Sequence, residues 1–267
     1  MLLADNYIRA VDNNTNYNAV VDEAGDFATD SDRTLSAFPA QALVDRIYFD
    51  PFPTRVVKKN ESGQPLPAPG MPGYYQTEPR SVRDAGRIEQ PPVANFVAVK
   101  ALSAGAGLVV YNGHSNHWQF ARTSEQGWPN WLFYTNDVDL LLNYGKPFIG
   151  LSMTCYTSQF VIPAAAGTLD ELTFRKPDAG SVAVWGPSGL SVTHGHDLLQ
   201  RGFMRRLWSN PSMSQPMGEL LEAGYTELLL NSSGLEDTLM TFLLLGDPLT
   251  KARVTANRGL FLPEIAR

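Results

Sequence analysis

Apolar positions gather into six short runs along the chain, at residues 1–4, 46–49, 108–111, 147–153, 181–185 and 242–245. Each is too short for a stable helix and is continuous rather than alternating, the pattern of a strand covered on both faces. Between them, apolar residues recur at helical spacing over 93–104, 137–143, 197–208 and 217–230, with Gly105 placed to close the first helix and Asn136 placed to cap the second. This alternation predicts an α/β fold with right-handed crossovers, a mostly parallel sheet and helices on both faces. The functional surface of such a fold is the carboxyl edge of its strands.

Two segments break the rhythm. Residues 51–92 are dense in proline and polar residues and read as a Pro-rich irregular insertion, with Lys58-Lys59 as a processing site, a cleft cover or a plain solvated linker. Residues 12–33 are rich in Asn and Asp and read as the loop and helix start after the first strand. There is no internal repeat and no heptad pattern.

Composition narrows the function classes. With 267 residues, 43% of them hydrophobic and 18% charged, the chain can bury a large single core, which excludes disorder throughout. A net charge of −6 with no basic run longer than Lys58-Lys59 excludes nucleic acid and anionic membranes as partners. No apolar run reaches the ~18 residues of a membrane-spanning segment. The chain opens directly on a strand-like run, so residues 1–267 read as one domain excised from a longer protein, with targeting signals and further domains of the same precursor beyond it. A single cysteine excludes an internal disulfide and leaves the redox compartment open.

The candidate chemistry rests on few residues. The predicted strand 108–111 runs into Asn112-Gly113-His114-Ser115, and the predicted strand 147–153 runs into Thr154-Cys155. If these strands are neighbours in a parallel sheet, their ends lie ~5 Å apart and an imidazole can reach the sulfur. A free thiol is mostly protonated at neutral pH, and a nearby imidazole can take its proton and return it to a leaving amine. Gly113 lets the backbone turn and aim N–H groups at a developing oxyanion. The bland reading, a core cysteine and a satisfied loop histidine, stands beside this one.

Other constellations compete. Gly150-Leu151-Ser152-Met153-Thr154 approaches the serine-hydrolase elbow, with Asp170 and His194 or His196 following in the right order, but β-branched Thr154 stands where the elbow needs a small residue. His114 with His117, or His194 and His196 with Asp197, can be drawn as a zinc site, although a three-residue spacing pairs ligands well only on a helix and His114 falls in a turn-rich loop. His194-Gly195-His196 reads instead as a helix start near the cleft. Trp118, Trp128 and Trp131 divide between core packing and a cleft wall.

The ordered set Tyr111-Asn112-Gly113-His114-Ser115 with Trp118, Asn136-Asp137-Val138-Asp139-Leu140, Thr154-Cys155-Tyr156-Thr157-Ser158-Gln159-Phe160, Thr168-Leu169-Asp170-Glu171-Leu172, 180–187, Met217-Gly218-Glu219 and Leu244-Leu245-Gly246-Asp247-Pro248 resembles the gingipain family of cysteine peptidases, over most of 105–251. The resemblance implies a caspase-like three-layer α/β fold and a cysteine endopeptidase that forms a thioester acyl-enzyme, with His114 as general base and Cys155 as nucleophile. It implies oxyanion donors at the N–H of Cys155 and in the loop around Gly113. It places the S1 wall at 186–193, which includes Thr193, with Asp26 as the nearest match to the acid that sets basic specificity; Trp118 and Trp185 are the further candidate substrate contacts. Asp5, at the end of the first strand, is the candidate to orient His114. The implied partners are protein or peptide substrates, and the implied location is extracellular or at a bacterial cell surface. No cofactor is required, and a structural calcium ion is compatible with the Asn- and Asp-rich stretch. Two departures stand out: Ser115 follows the histidine, and Ser158-Gln159 precedes Phe160, where the family commonly has glycine. They keep open an alternative, a catalytically inactive caspase-like binding or scaffolding domain. A serine hydrolase using Ser152 is the other alternative.

Overall fold

All six predicted strands form, and in the computed structural model they pair with one further short strand into a seven-stranded sheet. The structure describes residues 1–5, 27–40, 42–49, 54–59, 74–79, 87–88, 90–121, 129–162, 166–210, 213–254 and 261–264. Its elements, in chain order, are β1 (Leu2–Asp5), α1 (Phe27–Thr34), β2 (Arg46–Phe49), β3 (Thr54–Lys59), β4 (Tyr74–Pro79), β5 (Arg87–Ile88), α2 (Pro91–Ala104), β6 (Leu108–Asn112), β7 (Ser115–Asn116), β8 (Gln119–Phe120) and β9 (Phe133–Tyr134). The second half supplies β10 (Phe148–Met153), α3 (Leu169–Arg175), β11 (Ser181–Pro187), α4 (Thr193–Trp208), β12 (Gln215–Pro216), α5 (Met217–Asn231), α6 (Glu236–Thr241), β13 (Phe242–Leu245), β14 (Lys251–Val254) and β15 (Phe261–Glu264).

The sheet order is β13-β11-β10-β6-β1-β2-β5, parallel throughout except for β13, which pairs antiparallel with β11. Strand periodicity divides the core between the two faces. Leu2, Ala4, Val110, Ile149, Leu151 and Trp185 pack with α4 and α5, while Leu3, Val109, Tyr111 and Phe148 pack with α2. The result is a three-layer α/β architecture with a mostly parallel sheet. Among the described residues, no helix is long and apolar enough to cross a membrane.

Local chemistry explains where elements begin and end. Pro91 opens α2 at a position whose N–H would have no helical partner, and Gly105 closes it at φ +95°, as the sequence predicts. The predicted helix over 137–143 is instead a single 3-10 segment, Thr135–Leu140. Asp137 rather than Asn136 organises it, its carboxylate accepting bonds from Tyr134 N (2.9 Å), Asn95 Nδ2 (2.9 Å) and Trp131 Nε1 (3.1 Å). The insertion at 51–92 is more ordered than its prolines suggest, because β3 and β4 pair antiparallel and β5 extends the main sheet. Helices α4 and α5 cross closely at Gly224, where an added Cβ would fall 2.5 Å from the Trp185 ring and 2.8 Å from the Leu199 carbonyl.

His196 enters this core from the first turn of α4. It is buried against Phe242, at 5.5 Å between ring centroids, and neither ring nitrogen has a hydrogen-bond partner. Burial pushes its pKa down from 6.5 to about 3, so the folded protein holds a neutral imidazole. The unfolded chain binds a proton there as the pH falls below about 6.5 while the folded chain does not, so the fold loses stability progressively between pH 6.5 and 3. His196→Leu is expected to flatten that part of the acid limb and leave stability at pH 7.5 equal or higher, measured by urea unfolding at a series of pH values.

Candidate active site

Three strands deliver their carboxyl ends to one place. Asn112 of β6 is in register with Ala4 of β1 on one side and Met153 of β10 on the other, so Asp5, Gly113 and Thr154 leave the sheet side by side. One residue further, the histidine and cysteine loops begin. Thr154 and Ser115 stitch these loops together. The Thr154 hydroxyl lies 2.6 Å from the Gly113 carbonyl and 2.6 Å from Ser115 Oγ, and the Ser115 hydroxyl donates to the Cys155 carbonyl while its oxygen accepts the Cys155 N–H at 3.0 Å.

The cysteine loop has its own supports. Tyr156 adopts φ +61°, a left-handed conformation that costs energy for a side chain of this size and turns the chain sharply after Cys155. Residues 187–191 run alongside and present alternate carbonyls to the loop. Ser158 N donates to Pro187 O (2.9 Å), Tyr156 N to Gly189 O (3.1 Å), and the Cys155 thiol to Ser191 O (3.5 Å). From below, the buried carboxylate of Asp170 accepts the hydroxyls of Ser152 (2.8 Å) and Ser158 (2.7 Å), while its backbone N–H reaches Thr157 O (3.2 Å). His117 clasps the far side, its ring 2.7 Å from Gln159 Oε1 and 5.1 Å from the Tyr156 ring.

The histidine side is anchored separately. The His114 ring is exposed and meets Phe27 edge-on at 5.2 Å. Phe27 opens α1, and α1 is tied to the sheet by a buried chain of polar groups. Asn112 Nδ2 donates to Ser31 Oγ (2.9 Å), and Gln200 Nε2 of α4 donates to Asn112 Oδ1 (3.1 Å). Asp5 is buried beside Gly113, at 3.0 Å from where a Gly113 Cβ would stand. Gly113 does not have a positive φ. The need for glycine there is close approach, since an added Cβ would also collide with the Tyr111 phenol, which donates to the His114 carbonyl.

Burial pushes the Cys155 thiol above its ordinary pKa, and it also raises the Asp170 carboxyl, against the pull of the hydroxyls that bond it. The resting sulfur is therefore a thiol donating to a carbonyl. Such a thiol becomes a nucleophile when a base removes its proton during attack.

The structure sorts the remaining sequence candidates. Ser191 touches Cys155 through its carbonyl and Thr193 opens α4 two residues later, while Trp118 is partly exposed next to His117, at 5.3 Å between rings. Trp185 does not line the cleft. It is fully buried in β11, stacked near Phe203 and donating its indole N–H to Tyr225 Oη at 3.1 Å. Ser152 is no elbow nucleophile, because it is buried within β10 with its hydroxyl committed to Asp170. Asp26 and Trp128 lie outside the described residues, as does most of the Asn- and Asp-rich stretch. Among the described residues no three His, Cys, Asp or Glu side chains gather to hold a metal ion. Ser115, Ser158 and Gln159 are not among the described non-glycine residues with positive φ, so these departures from glycine impose no left-handed strain. Sequence reasoning missed Asp170 as the support of the cysteine loop, although its place in the quoted motif beside Thr168 and Glu171 was a signal.

No curated protein matches this chain. Among solved structures, the chain is similar to the Arg-specific cysteine proteinase gingipain R (RgpB), with a TM-score of 0.52 and 19% identity, covering 61% of this chain and 37% of that one. It is also similar to a complex of the pro- and mature domains of RgpB from Porphyromonas gingivalis, with a TM-score of 0.51 and 17% identity, covering 82% of this chain and 52% of that one. At these identities the likeness is one of fold, the caspase-like architecture. The chain spans less than two thirds of either structure's length. Peptidase family C25 matches over residues 1–253, and with that match across nearly the whole chain, and a lone cysteine at the carboxyl edge of the sheet, the protein belongs to peptidase family C25, a family of cysteine peptidases.

Proposed function

We propose that the chain is a cysteine endopeptidase in which Cys155 is the nucleophile and His114 the general base. The observation that carries this reading is the register of β6 against β10, which sends the histidine and cysteine loops from adjacent strand ends, stitched by Thr154 and Ser115. In the proposed reaction His114 accepts the thiol proton as Sγ bonds to the scissile carbonyl carbon. The carbonyl oxygen becomes an oxyanion, the C–N bond then breaks, and His114 gives its proton to the departing amine. The resulting thioester is hydrolysed by water, whose proton passes through His114 and returns to Sγ as the acid product leaves. The backbone N–H of Cys155 is the proposed oxyanion donor, Asp5 is the proposed acid behind the histidine loop, and Leu190, Val192, Thr193 and Trp118 are the proposed cleft walls. As a peptidase it would act on proteins or peptides, outside the cell or at its surface, as part of a longer precursor.

A second reading, a binding domain with a disabled cleft, is favoured by one observation: the Cys155 N–H is already engaged by Ser115.

Covalent labelling with a peptidyl acyloxymethyl ketone, followed by intact mass, separates the two. Wild type is expected to label, Cys155→Ala not at all, and His114→Ala about a hundred times more slowly, the low end of what a general base supplies. Equal rates for wild type and His114→Ala would defeat the peptidase reading. The raised thiol pKa adds a pH signature. Iodoacetamide alkylation of the resting protein is expected to be slow at pH 6–7 and to climb with each pH unit to pH 9 and beyond, because the thiolate fraction grows only as the pH nears the raised pKa. A rate already level at pH 6 would reveal a preformed thiolate–imidazolium pair instead.

Asp170→Asn tests the support beneath the cysteine. An amide cannot accept both hydroxyls and keep the loop in place, so kcat is expected to fall about tenfold or more with KM little changed. Thermal stability at neutral pH should change little, because the substitution also removes a buried carboxylate whose ionisation burial opposes.

A further inference from the structure

The Ser115 side chain sits where the chemistry of the proposed reaction needs an open hydrogen-bond donor. Its oxygen accepts the Cys155 N–H at 3.0 Å, its proton goes to the Cys155 carbonyl, and Thr154 Oγ1 holds it from a third side at 2.6 Å. These contacts are part-buried, and the backbone of Ser115 is itself fixed by pairing with Phe120 in β8. A serine oxygen accepting that N–H takes the place of a carbonyl oxygen that gains negative charge on attack by Sγ. One N–H cannot serve both well.

We propose that Ser115 is a gate on the oxyanion site: its hydroxyl caps the Cys155 N–H in the resting protein and must turn away about its Cα–Cβ bond before that N–H can serve an oxyanion. The proposal rests on the peptidase reading above. It assigns a role to the Ser115 hydroxyl, which makes all of its contacts from an unstrained backbone. Ser115 does not have a positive φ, so the hydroxyl itself, not a distorted main chain, is the functional difference. When Ser115 turns, the bonds lost are hydroxyl bonds to Cys155 and Thr154, each of the modest net strength of a neutral hydrogen bond. An oxyanion, being charged, makes the stronger claim on the N–H. The gate therefore yields to a reacting substrate and slows the enzyme rather than abolishing its activity.

The test compares wild type with Ser115→Ala, Ser115→Gly and Ser115→Thr in three measurements. Peptides cleaved in a fluorogenic library are converted to peptide aldehydes, which form a hemithioacetal oxygen on Cys155. The gate predicts aldehyde affinity and kcat about five- to tenfold higher in Ser115→Ala and Ser115→Gly, with KM nearly unchanged and Ser115→Thr close to wild type. Iodoacetamide alkylation, which develops no oxyanion, should be the same in all four. Amide hydrogen exchange at Cys155, followed by NMR, should quicken in Ser115→Ala and Ser115→Gly and not in Ser115→Thr. A fall in aldehyde affinity and in alkylation together in Ser115→Ala would show that the hydroxyl only holds the loops, and would overturn it. Unchanged exchange and unchanged affinity would overturn it as well. If no peptide is cleaved by wild type or by any variant, the peptidase reading fails, an outcome distinct from the loss of the gate alone.

Discussion

The parallel pairing of Leu108–Asn112 with Phe148–Met153 is the constraint on which the rest of the site depends. A shift of one residue would turn every side chain of a strand to the other face, and here both faces are packed, one against α4 and α5 and the other against α2. The register is therefore fixed by the whole core. Because it is fixed, the residues just past the strand ends meet as Gly113 with Thr154, and the hydroxyl of Thr154 finds the Gly113 carbonyl without any loop rearrangement. The position of the candidate nucleophile relative to the candidate base is thus a property of the sheet more than of the loops.

The loops then carry polar groups that a core of this kind would otherwise exclude. Two buried networks lie directly under the two chemical groups: Asp170 with Ser152 and Ser158 beneath the cysteine, and Ser31 with Asn112 and Gln200 beneath the histidine. Buried polar groups are costly unless bonded, so each network is stable in one arrangement and penalises alternatives. That selectivity offsets the left-handed backbone at Tyr156, which a floppier loop would relax.

Strand positions were legible in the sequence because parallel strands buried on both faces leave continuous apolar runs, and the closing Gly105 of α2 was legible because its positive φ leaves few other choices. The same double burial hid which way each strand residue points. Trp185 reads as a cleft residue from its place near the strand end, yet period-two geometry turns it into the core beside Phe203 and Tyr225, with Gly224 making room for its ring. The adjacency of the two strands that lead into the histidine and cysteine loops followed from strand order, whereas the clasp of Asp170 joins hydroxyls and a carboxylate from separate elements, and no local pattern announces such a contact. The short helices α3 and α6 escaped because six or seven residues carry too little periodicity, and β3 with β4 escaped because a proline-dense composition says little about antiparallel pairing at an edge.

The state of the resting sulfur ties these observations to the chemistry. Its proton is directed to the Ser191 carbonyl, its surroundings favour the neutral form, and the imidazole proposed as its base rests against Phe27 on the solvent side. In the proposed reaction a thiol held this way attacks only as a base removes its proton. In that reaction a peptide lying along residues 188–192 would displace water from the sulfur, strengthen the hydrogen bond that the thiol donates to His114 and couple transfer of that proton to attack. Helix α1 bears on that step at a distance, since the Phe27 ring that steadies the base is carried by the same helix that Ser31 pins to Asn112. The proposed base and the proposed nucleophile thus each belong to a loop that a buried network ties to the sheet.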